Sequence, residues 1–455
     1  MFDLVETVLW FVVAIGVLVA VHEFGHFIVA RTLGVKVLRF SIGFGRALVS
    51  WRGRRDGTEY CIAAVPLGGY VKMLDSTEDE DVPEADLPRA FDRQPLGTRF
   101  AVVAAGPVFN FLFAIVAYAA MFATGVEGLR PIVGTVAESS PAAIAGLHPG
   151  DEVARVGGRD VQTWQGVIEG VLAASLDRGR LELEVQGDGA RRVVSLDLRD
   201  VALDDLTQMG FFERLGMRPD LPRAPPVVGD VAADSPAQAA GLRTGDRVIA
   251  IDGAPLTSPD DLVAKVRASP ERALEVRVRR DAALLDLSVT PRRVDGEDGP
   301  YGQIGAGVRA DADAVAHYYA EERYGLVESV AKGAEKMVDM TLLTVRMLWK
   351  MVTLEVSVKN LSGPISIAQY AGASADVGLA RFLDFLAVVS ISLGLLNLMP
   401  IPLLDGGHLM YYSIELFTRR PVSEQVQFVG QRLGIAMLVC LMGLAFYNDL
   451  ARIFG

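Results

Sequence analysis

Five residues set inside an apolar stretch of membrane length limit what this chain can become. From Thr7 to Val21 the only polar side chain is the threonine. His22-Glu23-Phe24-Gly25-His26 follows, and Phe27-Ile28-Val29-Ala30 resumes the apolar pattern. About 20 apolar residues suffice for a helix to cross a bilayer. Ionisable side chains within such a helix are costly and are kept where they do something. Residues four apart share one helix face, so His22 and His26 can ligate one metal ion. Glu23 can then act as general base toward a water on that ion. The bland reading is a helix end whose histidines and glutamate face lipid headgroups, and it is the partners found elsewhere in the chain that weigh against it.

The chain has 455 residues, of which 51% are hydrophobic. That balance suits a membrane protein with sizeable soluble parts, and the length suits two or three domains. A net charge of −12 argues against a nucleic-acid partner. Cys61 and Cys440, in different segments, form no disulfide framework and cannot build a cysteine metal site. The start, Met-Phe-Asp-Leu-Val-Glu, has no basic region, and the apolar run leads into the His-Glu motif instead of a small-residue cleavage site. A retained spanning helix is therefore expected.

Four segments are long and apolar enough to span a bilayer: Thr7 to Ala30, Phe100 to Val126 (27 residues without a charge), Phe385 to Leu404, and Phe428 to Tyr447. Arg31, Lys36, Arg39, Arg46, Arg52, Arg54 and Arg55 crowd the loop after the first, and Arg419 and Arg420 lie between the last two. The excess of basic residues in cytoplasmic loops puts both loops in the cytoplasm. Both termini and the region from Glu127 to about Arg381 then lie on the far side, with the His-Glu motif at the cytoplasmic end of its helix.

The far-side region repeats itself. Gly134–Gly158 matches Gly229–Gly253 at 13 of 25 positions, at a constant offset of 95 residues. Each copy predicts a strand, a short helix (Pro141–Ala145, Pro236–Ala240), a Gly-Asp turn and another strand (Glu152–Val156, Arg247–Ile251). The pattern resembles the PDZ domain in its circularly permuted bacterial form, with Pro222, Pro225 and Pro226 marking the linker. Such domains bind extended peptides at a sheet edge; a spacer or steric filter is the competing expectation. Asp75 to Asp92 holds eight acidic residues and reads as a solvated loop. Tyr324 to Glu355 carries apolar residues at helical spacing. It predicts an amphipathic helix, lying on the membrane or packed on the spanning helices.

A catalytic zinc usually takes three protein ligands and a water. The third spanning segment ends Asn397-Leu-Met-Pro400-Ile-Pro402-Leu-Leu404-Asp405-Gly406-Gly407-His408. Asp405 stands at the cytoplasmic end of a helix returning to that face, at the depth of His22 and His26, and His408 competes with it. Pro400 and Pro402 break the helix and free backbone to line a cavity. Alone, Asp405 reads as a helix-terminal acid in a glycine turn; with a His-Glu half-site to complete, it reads as the ligand.

These motifs resemble the site-2 protease family of intramembrane zinc metalloproteases. His22 to His26 matches its HExxH motif and Asn397 to Gly406 its NxxPxxxLDG motif, and the order of parts is similar to the bacterial regulator-of-sigma-E type. Pro66-Leu-Gly-Gly69-Tyr70-Val-Lys-Met73 resembles that subgroup's membrane-reentrant β-loop; Gly106-Pro107-Val-Phe-Asn110 and Leu361-Ser362-Gly363-Pro364-Ile365 are also typical. The resemblance implies that His22, His26 and Asp405 hold Zn2+, that Glu23 activates water, and that Asn397 hydrogen-bonds the substrate or oxyanion. It implies that Gly68, Gly69 and Tyr70 offer an edge to an extended substrate, and it gives His408 no role.

The expected fold is a polytopic α-helical membrane protein with four transmembrane helices, a membrane-associated β-loop and two periplasmic α+β PDZ domains. The expected divisions are 1–126, PDZ domains at 127–221 and 222–309, a periplasmic amphipathic segment at 310–376, and 377–455. The expected activity is cleavage of single-span membrane proteins in the bacterial inner membrane, among lipid, with an anti-sigma factor as substrate. Remnant signal peptides are the alternative substrate. A silent PDZ scaffold would have no use for Glu23 or Asp405, and a metal transporter would have none for two PDZ domains.

Overall fold

The computed structural model describes residues 4–54, 56–77, 82–176, 179–187, 189–199, 212, 214–221, 224–296, 299–353 and 355–454. The first three residues, Arg55 of the basic loop, Glu78 to Asp81 of the acidic run and Pro222 of the linker lie outside them. The chain forms two compact units, one from residues 4–126 and 322–454, the other from within residues 127–321.

In the helical unit, four helices among the described residues are long and apolar enough to cross a membrane: α1 (Leu4–Thr32), α2 (Leu96–Thr124), α5 (Leu379–Leu398) and α7 (Glu424–Phe454). Three further helices are α3 (Leu326–Val352), α4 (Pro364–Val377) and α6 (Asp405–Thr418). The third span therefore ends earlier than the expected Leu404. Pro400 and Pro402 lack the N–H a helix needs, and a residue before proline disfavours the α region. It also begins earlier than Phe385, because the helix includes Arg381 and Asp384, which a search for uncharged residues passes over.

α1, α2 and α5 share a core. Ala14 and Leu18 of α1 pack with Phe382 and Leu386 of α5. Ala114, Ala117 and Tyr118 of α2 pack with Ala387 and Ile391 of α5. Phe27 and Ala30 of α1 pack with Val102 of α2. Small residues let the backbones approach: a Cβ on Gly25 of α1 would lie 2.6 Å from the Ala105 carbonyl of α2. α3 is the expected amphipathic helix, and it packs on the spanning helices. A Cβ on its Gly333 would lie 2.8 Å from the Ile115 carbonyl of α2, while Leu326, Val327 and Trp349 stay exposed.

Between α1 and α2, two bent strands, β1 (Val37–Arg52) and β2 (Glu59–Met73), pair twice. Phe40 faces Val71 on one edge and Tyr60 on the other; Ile42 faces Gly69 and Ile62; Tyr60 and Ile62 also face Trp51 and Val49. The hairpin is thus a small sheet of four segments, with Gly69–Met73 along an outer edge.

In the other unit, the repeat recurs as structure. The short helices Pro141–Ile144 and Pro236–Ala239 are each N-capped by a serine, Ser140 and Ser235. Strands Glu152–Val156 and Arg247–Ile251 follow at the same offset. In each copy the strand before the short helix pairs with one far along the sequence: Val133–Val136 with Met217–Pro219, and Pro226–Val231 with Ala306–Ala310. The aspartate of each Gly-Asp turn is a buried structural group. Asp151 accepts from the His148 N–H and pairs with Arg192; Asp246 accepts from the Arg243 N–H and from Arg280. Around the second, Val228, Val248, Ile251, Leu274 and Val278 form a closed apolar core.

Candidate active site

His22 and His26 are both buried, on the α1 face that meets α2, while Phe24 between them is 45% exposed and sets its ring edge-on to Phe109 of α2. Their Nε2 atoms lie 3.3 Å apart. Asp405, the first residue of α6, places Oδ2 at 3.2 Å from the Nε2 of His22 and 3.4 Å from that of His26. Ligand atoms of His22, His26 and Asp405 all lie within 4.8 Å of one another.

Glycines make this convergence possible. Gly406 and Gly407 lie inside α6, not in the glycine turn that Asp405 taken alone suggested. A Cβ on Gly406 would run into the Leu398 and Met399 carbonyls, and one on Gly407 would lie 2.5 Å from that of Ile401. The link before Asp405 is held open by Leu403, at φ 126°, a conformation non-glycine residues rarely adopt. On α2, Gly106 lies directly beneath both imidazoles: a Cβ there would be 2.6 Å from Cε1 of His26 and 2.7 Å from Cε1 of His22, and closer still to Nε2 of His26.

The donor set fits a metal ion. His26 Nδ1 lies 2.8 Å from the Val102 carbonyl, which can only accept. Nδ1 is therefore the N–H, and neutral His26 turns a bare lone pair at Nε2 toward the other two donors. Asp405 Oδ2 is buried and faces only the two imidazole nitrogens. Two imidazole nitrogens and a carboxylate are the hard-to-borderline donors that zinc takes.

The remaining expected residues surround this cluster. Asn397, one residue from the end of α5, places Nδ2 3.4 Å from His22 Nε2. Glu23 lies against the outer edge of the hairpin: the Val71 N–H hydrogen-bonds its carboxylate, and a Cβ on Gly69 would lie 3.0 Å from its Cγ. Gly68, at φ 147°, has room for no side chain, since a Cβ would strike the Phe44 ring. Tyr70 stacks on Phe44 at 6.3 Å and accepts from Arg39. His408 lies one turn past Asp405, outside the three-donor cluster.

Sequence reasoning gave no role to Val102, Gly106 and Asn110. They lie four residues apart on one face of α2 and hold the two histidines from below, with Asn110 Nδ2 3.1 Å from His22 Nδ1. Gly106 and Asn110 are marked in the sequence only within a stretch typical of the family, and Val102, an apolar residue in an uncharged span, gives no signal at all.

Apolar helices that bring a His-x-x-x-His pair, an adjacent glutamate and a half-buried aspartate together define a membrane metallopeptidase. The profile of peptidase family M50 matches residues 10–441, and the chain belongs to that family. It is 43% identical to the regulator of sigma-E protease RseP of Escherichia coli (strain K12), over 97% of this chain and 98% of the relative. It is 43% identical to the regulator of sigma E protease of Salmonella typhi, over 98% and 100% of the two chains. It is 42% identical, over both full lengths, to a Vibrio cholerae protein named as a candidate zinc metalloprotease.

Proposed function

We propose that this protein is an intramembrane zinc endopeptidase that cuts the transmembrane segment of a single-span membrane protein, an anti-sigma factor in an envelope stress response. The observation that carries this is the convergence of His22 and His26, beside Glu23 in a helix able to span a membrane, with Asp405 at the start of α6. His22, His26 and Asp405 would hold the ion. Bound zinc supplies Lewis acidity, which gives a water nucleophile at neutral pH and a polarised scissile carbonyl.

The chain's own residues do the rest. Glu23 takes the proton of the attacking water and delivers it to the leaving amine. Asn397 donates Nδ2–H to the oxygen that gains charge as the carbonyl is attacked. A helical substrate hides its carbonyls in its own hydrogen bonds, so it has to be unwound and held extended. The outer edge at Gly69–Met73, beside Glu23, offers backbone pairing for such a strand, with Gly68, Gly69 and Tyr70 at the approach. The two repeats are PDZ domains on the periplasmic side, where they bar substrates with large ectodomains; the cutting site lies toward the cytoplasmic face of the inner membrane.

The test is Glu23→Gln in purified protein with a single-span substrate. Cleavage should fall by several orders of magnitude while zinc content is retained; undiminished cleavage overturns the mechanism. Asp405→Ala should lose zinc and His408→Ala should keep it; the reverse overturns the ligand assignment.

A further inference from the structure

The two histidines are held differently from below. His26 faces the Val102 carbonyl, a partner that only accepts and so fixes the tautomer with a bare Nε2. His22 faces Asn110, whose amide can either donate or accept. Asn110 is fully buried, and its Oδ1 has no hydrogen-bond partner. In the orientation observed, Nδ2 faces His22 Nδ1 at 3.1 Å, which makes Nδ1 the acceptor. That tautomer puts the imidazole proton on Nε2, the atom 3.2 Å from Asp405 Oδ2 and 3.3 Å from His26 Nε2. A nitrogen carrying a proton has no lone pair for a metal.

We infer that Asn110 is a positioning residue for the zinc site: with its amide turned by half a revolution, Oδ1 accepts the Nδ1–H of His22 and frees Nε2 to bind the ion. The inference rests on the zinc reading above. The amide is placed to do this and little else. Its own backbone carbonyl accepts from Ser390 Oγ of α5, and a Cβ added to Gly394 of α5 would lie 3.3 Å from the Cβ of Asn110. The residue is therefore anchored by a second spanning helix, and a half-turn of its amide exchanges Oδ1 and Nδ2 without changing the shape of the head group. Partners on the non-ligating nitrogen of a metal-bound histidine set its tautomer and ring orientation, and their loss costs about 10- to 100-fold in metal affinity or activity.

The experiment measures zinc affinity by chelator competition in the purified full-length protein, alongside substrate cleavage. Asn110→Leu, close in volume but without an acceptor, should bind zinc about 10- to 100-fold more weakly. Asn110→Asp, which keeps an acceptor in place, should bind within about threefold of the wild type. Wild-type affinity in Asn110→Leu overturns the inference, as does equal weakening in both variants, which would make the role one of packing. A direct readout needs no variant: in the histidine-15N-labelled zinc protein, His22 should show a protonated Nδ1 and a metal-bound Nε2. The opposite pattern overturns the inference while leaving the zinc site standing, whereas a wild-type protein that takes up no zinc overturns the zinc reading itself.

Discussion

Gly106→Ala tests how tightly the second helix is built against the two histidines. The added Cβ would lie 2.6 Å from His26 Cε1 and 2.7 Å from His22 Cε1. Carbon atoms in good contact sit about 3.5–4.0 Å apart, so one partner has to move by roughly 1 Å. The rings cannot simply swing away. His26 is tied at Nδ1 to Val102 and His22 to Asn110, and both partners are on the helix that carries the intruding methyl. The strain falls on ligand geometry. A displacement near 1 Å can cost about 100-fold in rate, and overpacking of a tight core costs about 1–3 kcal/mol. We expect cleavage of a single-span substrate to fall about 100-fold and zinc affinity at least about 10-fold, in a protein that remains folded by thermal unfolding. Gly16→Ala on α1 is the control, because nothing lies within 4 Å of a Cβ there. A Gly106→Ala protein that keeps both zinc and cleavage within about twofold of the wild type would refute the packing argument.

Other perturbations read other parts of the fold. On α7, Gly434→Leu drives a side chain into the Pro402 carbonyl, which should shift the Asp405 segment and weaken zinc binding, while Gly443→Leu, with open space around it, should not. Asp449 of α7 accepts the N–H groups of Gly363, Ile365 and Ser366 and so caps α4 from outside. Asp449→Ala should speed amide exchange at Ile365 and Ser366 and cost about 1–2 kcal/mol. For Asp246, burial alone would raise the carboxyl, but Arg280 and the Arg243 N–H outweigh it and hold it below the usual range. A carboxyl depressed in the folded state adds stability above its unfolded value, near 4, and that stability fades as pH falls through the folded value. Exchange protection of Arg247–Ile251 in the intact protein should therefore drop from about pH 5 downward, and Asp246→Asn should remove that dependence.

What could be read from the sequence follows from which physical signals are local. Hydropathy marked the four spans because a bilayer demands continuous apolar length, and the ends went wrong where charge or proline intervened, at Arg381 and Pro400. The histidines His22 and His26 stood out because polar groups in apolar stretches have few uses, whereas Asp405 became a candidate only once that half-site called for a third donor. The turn aspartates Asp151 and Asp246 did not stand out, because a Gly-Asp turn looks the same whether its acid is solvated or buried against an arginine. The double pairing of β1 was invisible because register depends on bulges that no residue pattern announces.

The face of α2 shows why half of a site can stay hidden. An ion's ligands need lone pairs, and the sequence displays those as histidine and aspartate. What aims the lone pairs is a carbonyl at Val102, an absent side chain at Gly106 and an amide at Asn110. Two of these three carry no polar side chain. In a bilayer this has a reason: each polar side chain added to support the site would need its own partner in a medium without water. A backbone carbonyl and a glycine support the ligands without creating that need. Asn110 is the exception on this face, and Ser390 and Gly394 of α5 hold its backbone and Cβ beside His22.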